Sequence, residues 1–554
     1  MRSRVDRLTG LVQRYRVDRR LPPSVLNLFT SAARLRLRNF VRRRAASLRP
    51  VAGSDRDVSS AGQARHGSRR IVTAGPLDRS LHDAGHGTAR HLVDALTAAG
   101  VDMFVVARRE DGLEFGIGLE DRGRALKILI SALAAPEVWL TWEDGSRSGT
   151  VALTDAASSQ SVSRARRWNI FTAYTWGDRA IGDSAGSRIT FWEIGASGQR
   201  ELVGTRGQER FHVESQRVPV FVDGHEYPGV ATFPVGRTFE EFHGDVDIVY
   251  TWVDGDDPAW MADFNTWAER ERHALLETAI DPARFRNRDE LRYSLRSVWA
   301  YCGWARRIFV VTAGQVPGWL AQDERITVIS HEDILPADAL PTFNSHAIEA
   351  ALHHIDGLAE HFIYFNDDMF VGRPVRPELF FTPNGLARVF QSTAHVHGAE
   401  FADTLAVDTG ALRGRELLLE RFGRVVSSKP LHSPYPLRRS VMERVEADFP
   451  GVVAQTAASR FRSPTDLSIA ASFAQHYGLA LGQAVLGDVR TEYVHVESGR
   501  LDWALDRIAF ADDVDTFCIN ETRDTDADHT QREARLAAFF DEMFPVAAPW
   551  EADR

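Results

Sequence analysis

Four apolar segments that alternate with amphipathic helical segments constrain the fold of this chain most strongly. They are residues 247–253, 307–313, 325–330 and 361–366. Because these segments are apolar almost throughout, they predict strands buried on both faces, and the helices between them predict a doubly wound, mostly parallel sheet. Ligands of such sheets bind outside the carboxyl ends of the strands. The sequence therefore predicts an α/β domain with its site at that edge.

Acidic residues follow two of these predicted strands. Asp254 follows the first, and the fourth runs directly into Asn366, Asp367 and Asp368. Two adjacent carboxylates buried here without partners would be strongly unfavourable, so we expect a cation beside them. Mg²⁺ or Mn²⁺ suits carboxylate and amide oxygens and needs only one or two protein carboxylates. The alternative is a turn in which these side chains accept backbone hydrogen bonds.

A stripe of arginines lies on the predicted helix after the first strand. Arg288, Arg292 and Arg296 are spaced at i, i+4 and i+8. Near a helix start and a metal site, guanidinium groups suit a diphosphate, because each can bind phosphate through two hydrogen bonds. The alternative is a solvated flank paired with Asp289 and Glu290.

A second predicted helix, residues 345–358, carries His346, Glu349 and His353 on one face. The spacing differs from the zinc motif HExxH, and no strong third ligand follows, so zinc is disfavoured here.

Two polar side chains further along allow both a functional and a structural interpretation. His432 lies in a proline-containing loop, where a histidine is usually a surface residue but, beside a metal–phosphate site, is a natural general base. Ser463, Pro464 and Asp466 match the N-cap, N1 proline and N3 acid of a helix capping box. Helix capping would explain Asp466 without catalysis.

The N-terminal region is predicted to be a basic arm followed by a linker. Residues 1–50 contain 14 arginines and two aspartates, with apolar residues near helical spacing. This pattern indicates either an interfacial helix on anionic lipid or a solvated, partner-docking tail. Since the whole chain carries −10, the remainder carries about −22, which argues against a nucleic-acid-binding body. Residues 51–87, rich in Ser, Gly, Arg and His, indicate a linker.

Residues 88–240 predict a small α+β domain in which we identify no catalytic constellation. Helices are predicted at residues 90–100 and 122–134, with strands after them. The most apolar run, residues 125–142, is interrupted by a lysine, a proline and a glutamate, so it predicts a helix and a strand rather than a membrane span.

Two cysteines far apart in the sequence argue against a disulfide framework or a zinc cluster, and they fit a reducing compartment. The N-terminus has no apolar core of a secretory signal. We therefore expect a cytoplasmic protein, peripheral on the inner face of the membrane if the arm binds lipid.

Several long motifs resemble the Stealth family in order and spacing. They are DIVYTWVDG, RFRNRDELRYSLRSVWAYCGWARRIFVVTAGQVPGWL, LPTFNSHAIEAALHHIDGLAEHFIYFNDDMFVG, LHSPYPLRRSVMERV, RFRSPTDLS and TFCINE, within residues 245–550. The chain departs from the family pattern at Asn520-Glu521, where Asn-Asp is usual, and at Gly410, where a polar residue is expected. The family includes bacterial capsular polysaccharide phosphotransferases and an animal N-acetylglucosamine-1-phosphotransferase.

The resemblance implies a hexose-1-phosphotransferase with a glycosyltransferase A-like, nucleotide-sugar-binding sheet. Such an enzyme transfers a sugar 1-phosphate from a nucleotide sugar, such as UDP-N-acetylglucosamine, to a hydroxyl of a glycan acceptor. It forms a phosphodiester in capsular or cell-surface polysaccharide and releases a nucleoside monophosphate. Two other functions stay open. One is a glycosyltransferase that releases UDP, and the other is a non-catalytic, membrane-associated scaffold for polysaccharide assembly.

The resemblance also implies one site that depends on Mg²⁺ or Mn²⁺. The predicted metal ligands are Asp367 and Asp368. The predicted catalytic residues hold phosphate or act as the general base: Arg288, Arg292, His432 and its rival Asp466. The residues predicted to contact substrate are Asp254, His346, Asn366, Arg462 and Asn520.

Overall fold

The computed structural model describes residues 62–66, 69–109, 112–177, 179–194, 200–203, 210–214, 216–236, 238–272, 280, 285–396, 406–511, 513–521 and 529–552. The predicted basic arm, residues 1–50, lies outside these described residues.

An accessory α+β domain occupies the first part of the described chain. Its strands are β1 (Gly62–His66), β2 (Arg69–Thr73), β3 (Met103–Arg108), β4 (Leu113–Gly118), β5 (Val138–Asp144), β6 (Arg147–Ala152), β7 (Arg167–Thr172), β8 (Tyr174–Trp176), β9 (Arg179–Ile181), β10 (Ser187–Ile194), β11 (Arg200–Val203), β12 (Arg210–Val213), β13 (Val218–Val222) and β14 (His225–Gly229). Its helices are α1 (Leu81–Ala98), α2 (Arg122–Leu133) and α3 (Gln160–Arg164). The apolar faces of α1 and α2 pack on the mixed sheet in one core that includes Leu92, Leu129 and Ile170.

The predicted linker is wrong over much of its length. Residues 62–66 and 69–73 pair as an antiparallel hairpin, and α1 begins at Leu81, nine residues before the predicted helix. The side chain of Ser80 caps α1 by accepting a hydrogen bond of 3.0 Å from the backbone N–H of Asp83. The Ser- and Gly-rich composition of residues 51–87 does not predict these elements, because apolar partners on distant strands complete their packing.

The second domain follows with a new set of elements. Its strands are β15 (Val246–Thr251), β16 (Ile308–Thr312), β17 (Ile326–Ser330), β18 (His361–Asn366), β19 (Met369–Val371), β20 (Ala387–His395), β21 (Ser428–Pro430), β22 (Tyr435–Arg438), β23 (Ala484–Gly487), β24 (Thr491–His495) and β25 (Thr516–Asn520). Its helices are α4 (Pro258–Glu271), α5 (Glu290–Tyr301), α6 (His331–Ile334), α7 (Ser345–Glu349), α8 (Ala406–Phe422), α9 (Arg439–Asp448), α10 (Pro450–Ala457), α11 (Ala474–Leu481), α12 (Leu501–Phe510) and α13 (His529–Met543).

The central sheet of this domain is mostly parallel, as the apolar segments predict. Its strand order is β17-β16-β15-β18-β22, with β22 antiparallel to its neighbour. Strands β15, β16 and β18 are buried almost throughout. The protein is therefore a mixed α/β protein with parallel and antiparallel sheets.

A second small sheet, ordered β19-β25-β24, lies beyond the carboxyl end of β18. Residues 367 and 368 make the turn from β18, in the central sheet, to β19, in this small sheet. The backbone N–H of Ile519 donates a hydrogen bond of 3.0 Å to the carbonyl of Asp368. The acidic pair thus lies where two sheets meet.

The helix predicted over residues 345–358 is broken. Helix α7 ends at Glu349, and a separate 3₁₀ turn covers Leu352–His354. Asn344 caps the start of α7 by accepting a hydrogen bond of 3.1 Å from the N–H of His346.

The accessory domain packs directly against the second domain. Trp176 is fully buried, and its indole Nε1 donates a hydrogen bond of 2.7 Å to the carbonyl of Met543. Leu77 and Leu81 belong to the hydrophobic core of the second domain. Among the described helices, none is both long and apolar enough to cross a bilayer.

Candidate active site

A cavity of about 910 Å³ lies at the carboxyl ends of β15 and β18. Its position agrees with the general location of ligand sites in parallel sheets. The fold brings most of the predicted site residues to its walls: Arg288, His346, Asn366, Asp367, Asp368, His432, Arg462 and Asn520.

Asp368 is the centre of a hydrogen-bonded group on this wall. Its Oδ2 accepts hydrogen bonds from Asn520 Nδ2 at 2.9 Å and from Cys518 Sγ at 3.2 Å. His432 Nε2 lies 3.7 Å from the same oxygen. Asp368 Oδ1 and Asn520 Oδ1 are buried, and neither has a hydrogen-bond partner among the described residues. Two acceptor oxygens therefore remain unused on two residues that are bonded to each other.

The charges around Asp368 favour a cation. Burial, followed by the nearby Asp368 and Glu290, raises the pKa of Asp367 well above its ordinary value. Burial also raises the pKa of Glu290. Burial opposes ionisation of Asp368 too, but His432, then Cys518 and Asn520, hold its pKa below the ordinary value. A bound cation would relieve the repulsion among these acids.

The donor atoms fit a hard divalent cation. The unused oxygens of Asp368 and Asn520, with Asp367 beside them, match the oxygen ligands that Mg²⁺ and Mn²⁺ prefer. Cys518 is a neutral thiol in this arrangement, because burial and then the Asp368 charge raise its pKa well above the ordinary value. Its S–H serves as a hydrogen-bond donor to the carboxylate.

His432 faces the cavity in a fixed orientation. Its Nδ1 forms a hydrogen bond of 2.9 Å with the hydroxyl of Tyr435. Burial, and then Glu349, raise the pKa of Tyr435 well above its ordinary value, so the phenol is neutral. The Nε2 atom is buried without a hydrogen-bond partner among the described residues. His432 lines the cavity, with its Nε2 beside Asp368 Oδ2.

Two arginines on the cavity wall are available to anions. Arg288 is ion-paired with Glu521 and lies 3.7 Å from Glu290, and its Nε has no hydrogen-bond partner in the described part of the chain. Arg462 donates a hydrogen bond of 2.7 Å to Ser345 Oγ, and its Nε also lacks a described partner. Each guanidinium thus keeps donor capacity that a phosphate can use.

Arg292 requires a correction, because the structure does not bring it to the cavity. Its guanidinium pairs with Glu551, which also binds Arg296. Arg288 precedes helix α5, and four residues along a helix displace a side chain by about 6 Å. Arg292 therefore reaches a different acid from Arg288.

Asp254 is also absent from the cavity lining. Its Oδ1 accepts a hydrogen bond of 3.1 Å from the N–H of Asp256, and its own N–H donates to Gln315 Oε1 at 3.0 Å. These bonds stabilise the turn that follows β15.

Asp466 does not cap a helix, so that interpretation is wrong. Its Oδ2 accepts hydrogen bonds from the N–H of Ser463 at 2.9 Å and from Asn344 Nδ2 at 2.8 Å. No helix begins at Ser463: the next helical segment is a π-helix over Ile469–Phe473. The bond to Asn344 holds the segment against α7 instead. Asp466 is fully buried behind the cavity wall.

His346 and His353 have different partners. His346 lines the cavity, as Glu349 does, with its Nδ1 3.8 Å from Asp466 Oδ2, whereas His353 pairs with Glu446 at 2.8 Å. Helix α7 ends between the two histidines, at Glu349.

Sequence reasoning missed several residues on or beside the cavity wall: Glu290, Tyr435, Cys518 and Glu521. One of them had a readable signal. Cys518 and Asn520 are two residues apart on β25, so they share a face, and both contact Asp368. Glu521 acquires its role from Arg288 through the tertiary structure, which no local pattern shows, whereas Glu290 was already a partner in the alternative interpretation of the arginine stripe.

Four family profiles match the second domain: Stealth protein conserved region 1 at residues 244–264, conserved region 2 at 284–389, conserved region 3 at 431–479 and conserved region 4 at 506–554. Mouse xyloside xylosyltransferase 1 in its apo form is 12% identical, with a TM-score of 0.25 over 50% of this chain and 97% of that one, which is too low to bear on the fold.

Curated relatives extend the match across both domains. An exopolysaccharide phosphotransferase of Streptomyces coelicolor is 38% identical over 489 residues, which are 83% of this chain and 88% of that protein. A second from the same organism is 37% identical over 83% of this chain and 81% of its own length. One from Mycobacterium tuberculosis is 40% identical over 55% of this chain and 58% of its own length. With its four conserved regions and a relative that is 38% identical over 83% of the chain, the chain belongs to the Stealth family.

Proposed function

We propose that this protein is a phosphotransferase that moves a sugar 1-phosphate from a nucleotide sugar to a hydroxyl of a glycan acceptor. The reaction forms a phosphodiester and releases a nucleoside monophosphate. The observation that carries the proposal is the group around Asp368: unused carboxylate and amide oxygens face the same cavity as an orientated histidine and two arginines with unused donors. The relatives named exopolysaccharide phosphotransferases give it further support.

In this proposal the donor diphosphate occupies the cavity between Asp368 and the arginines. Asp367, Asp368 and Asn520 hold Mg²⁺ or Mn²⁺, with Asn366 orienting a phosphate or bound water. When bound, the ion neutralises the diphosphate and stabilises charge on the transferred group. Arg288 and Arg462 donate hydrogen bonds to phosphate oxygens. These donors are fixed before the substrate arrives, because Glu521 and Ser345 hold the two guanidinium groups.

His432 is the general base in this proposal. The acceptor hydroxyl attacks phosphorus while His432 Nε2 takes its proton, and the bond from phosphorus to the nucleotide phosphate oxygen breaks. The hydrogen bond between Nδ1 and the Tyr435 hydroxyl fixes the ring, and the proposal places the ring proton on Nδ1 so that Nε2 is the base. Asp466 is less suited to the role, since its Oδ2 already accepts two hydrogen bonds and it does not line the cavity.

We also infer that the central sheet is a nucleotide-sugar-binding sheet of the glycosyltransferase A type. Its strand order and the acids at the end of β18 are consistent with that inference. A sheet of this type raises the alternative of glycosyl transfer, in which the sugar–phosphate bond breaks and a nucleoside diphosphate leaves.

The nucleotide product decides between the two reactions. Purified protein with Mg²⁺ would be incubated with a panel of nucleotide sugars and oligosaccharide acceptors, and the released nucleotide would be identified by chromatography. Release of UMP from a UDP-sugar, with a phosphodiester signal in the ³¹P spectrum of the glycan, is the expected result. Release of UDP with a phosphate-free glycan would replace the proposal with glycosyl transfer. If wild type and Asp368→Asn both leave every donor intact, the catalytic proposal fails.

A further inference from the structure

A cluster of histidines in the accessory domain lies outside the proposed active site. His82 and His86 are one turn apart on the same face of α1, Asp223 lies in the turn of the β13–β14 hairpin, and His225 follows that turn. The side chains of His82, His86 and Asp223 are 11%, 8% and 24% exposed. No part of the proposed reaction uses them.

One carboxylate oxygen is the focus of this cluster. Asp223 Oδ2 lies 3.0 Å from His86 Nε2 and 3.6 Å from His82 Nε2, and the three ligand atoms all lie within 4.8 Å of one another. Ligand atoms about 2.0–2.2 Å from a tetrahedral metal ion are about 3.3 Å apart. The three atoms can therefore surround one ion after small side-chain movements.

The neighbouring residues orient these atoms as they do in metal sites. Tyr227 OH forms a hydrogen bond of 2.8 Å with His86 Nδ1, which leaves Nε2 directed at Asp223. Arg108 contacts Asp223 Oδ1 at 2.8 Å and leaves Oδ2 to the histidines. Outer partners of this kind fix the tautomer and direction of metal ligands.

The β13–β14 hairpin carries Asp223 in a turn with left-handed backbone. Asp223 and Gly224 form its two-residue turn with φ of +49° and +78°. The left-handed region suits the second position because it is glycine, while the first is occupied by aspartate, one of the side chains that tolerates it.

We propose that His82, His86 and Asp223 bind a divalent transition-metal ion, with Zn²⁺ the best match to two imidazoles and one carboxylate. The ion would tie the hairpin to the start of α1. That start touches the second domain: a Cβ placed on Gly303, just after α5, would lie 2.8 Å from the Cβ of His82. The site thus braces the accessory domain at its junction with the second domain, independently of the proposed reaction.

Two other groups could compete for the ion, and the test must separate them. Asp368, His432 and Cys518 include a thiol in the cavity, whereas His353, His354 and Glu446 form a more exposed group. The substitutions Asp368→Asn and His354→Gln remove one ligand from each. His91→Gln, on an exposed residue of α1, is the matched control on the same helix.

The experiment measures metal binding to the full chain after dialysis against a chelator. Titration with Co²⁺ should give a saturable visible absorption band, displaced by Zn²⁺, and X-ray absorption of the zinc-loaded protein should show nitrogen and oxygen ligands without sulfur. The affinity for Co²⁺, measured from this band, should fall at least tenfold in His86→Gln and Asp223→Asn, and about tenfold in Tyr227→Phe. The band should persist in the three control variants.

Persistence of the band in both His86→Gln and Asp223→Asn would overturn the proposal, as would a sulfur ligand or the absence of a saturable band in the wild type. Near-ultraviolet circular dichroism would show whether each variant is folded. If His86→Gln is not, His82→Gln and the wild-type X-ray absorption decide the question.

Discussion

Asn520 donates a hydrogen bond of 2.9 Å from Nδ2 to Oδ2 of Asp368, joining the end of β25 to the turn that follows β18. The bond uses the donor of one side chain and one oxygen of the other. It leaves Asp368 Oδ1 and Asn520 Oδ1 buried without a partner in the described part of the chain. Two sheets are therefore held together by a contact between two residues that line the cavity and keep unused oxygens.

Replacing Asp368 with asparagine tests the metal. The variant keeps the shape of the side chain but removes a charge that a divalent cation needs. We expect the transfer rate to fall at least about a hundredfold, as when a major charge-stabilising group is lost. The control is Asp356→Asn on the exposed surface, which should keep its activity. Full wild-type activity in excess EDTA would contradict metal dependence.

Replacing His432 with glutamine tests the base. A positioned general base typically contributes 10²–10⁴-fold, and loose phosphoryl-transfer states need less help, so we expect a loss of about a hundredfold in transfer. Donor affinity, measured by calorimetry, should stay within a few-fold. If donor binding is lost instead, His432 is a phosphate ligand.

Tyr435→Phe should reproduce part of the His432 effect, since it removes the partner that orients the ring. We expect about a tenfold loss in the wild-type background and little further loss when His432 is already glutamine. Additive losses in the double variant would mean that the two residues act separately.

Arg288 and Arg292 should differ in what they affect, although they are one helical turn apart in the sequence. Glu551 is 1% exposed, and in Arg292→Ala it would lose one of its two ion-pair partners and keep Arg296. We therefore expect the free energy of unfolding to fall by about 2–3 kcal/mol in this variant. Arg288→Ala should raise the KM for the donor at least about tenfold. Urea unfolding and donor kinetics on both variants check this. A raised donor KM with unchanged stability in Arg292→Ala would place Arg292 in the site.

Strands β15, β16, β17 and β18 could be predicted to within two residues at each end because their apolar runs depend little on context, although β17 is only partly buried. Helix α5 could be predicted because one face is apolar at helical spacing. The end of α7 could not, since Glu349 accepts hydrogen bonds from Ser468 and from the N–H of Ala471, far along the chain.

The site residues also divide into those that the local sequence predicts and those that depend on distant partners. The acids after β18 were predictable because the fold class alone assigns function to strand ends. The position of Arg292 was not, because its partner Glu551 lies near the other end of the chain. Asp466 had the local signature of a helix cap, but a buried amide, that of Asn344, uses the same carboxylate oxygen. Tertiary hydrogen bonds decided each case in which the local pattern was misleading.

The basic arm gives a separate prediction. If residues 1–50 bind anionic membrane through their arginines, deleting them should release the protein from phosphatidylglycerol vesicles, while turnover of a soluble donor and acceptor survives. Co-sedimentation with phosphatidylglycerol and with neutral phosphatidylcholine vesicles measures this. Vesicle binding that is unchanged by the deletion would assign the membrane contact elsewhere or exclude it.

Acid should destabilise the protein in part through His476 in α11. Burial lowers its pKa from 6.5 to about 4, and its Nε2 has no hydrogen-bond partner among the described residues. Between these pH values the unfolded chain binds a proton that the folded chain does not. This contribution to stability is therefore complete above about pH 6.5 and declines towards pH 4. At pH 5 the protonation of this one residue in the unfolded chain lowers the free energy of unfolding by about 2 kcal/mol.

Urea unfolding at pH 7 and pH 5 measures this effect. The fall in the free energy of unfolding between the two pH values should be smaller by that amount in His476→Gln than in the wild type, and His91→Gln should behave as the wild type. An identical pH dependence in wild type and His476→Gln would show that the ring is already protonated in the folded protein.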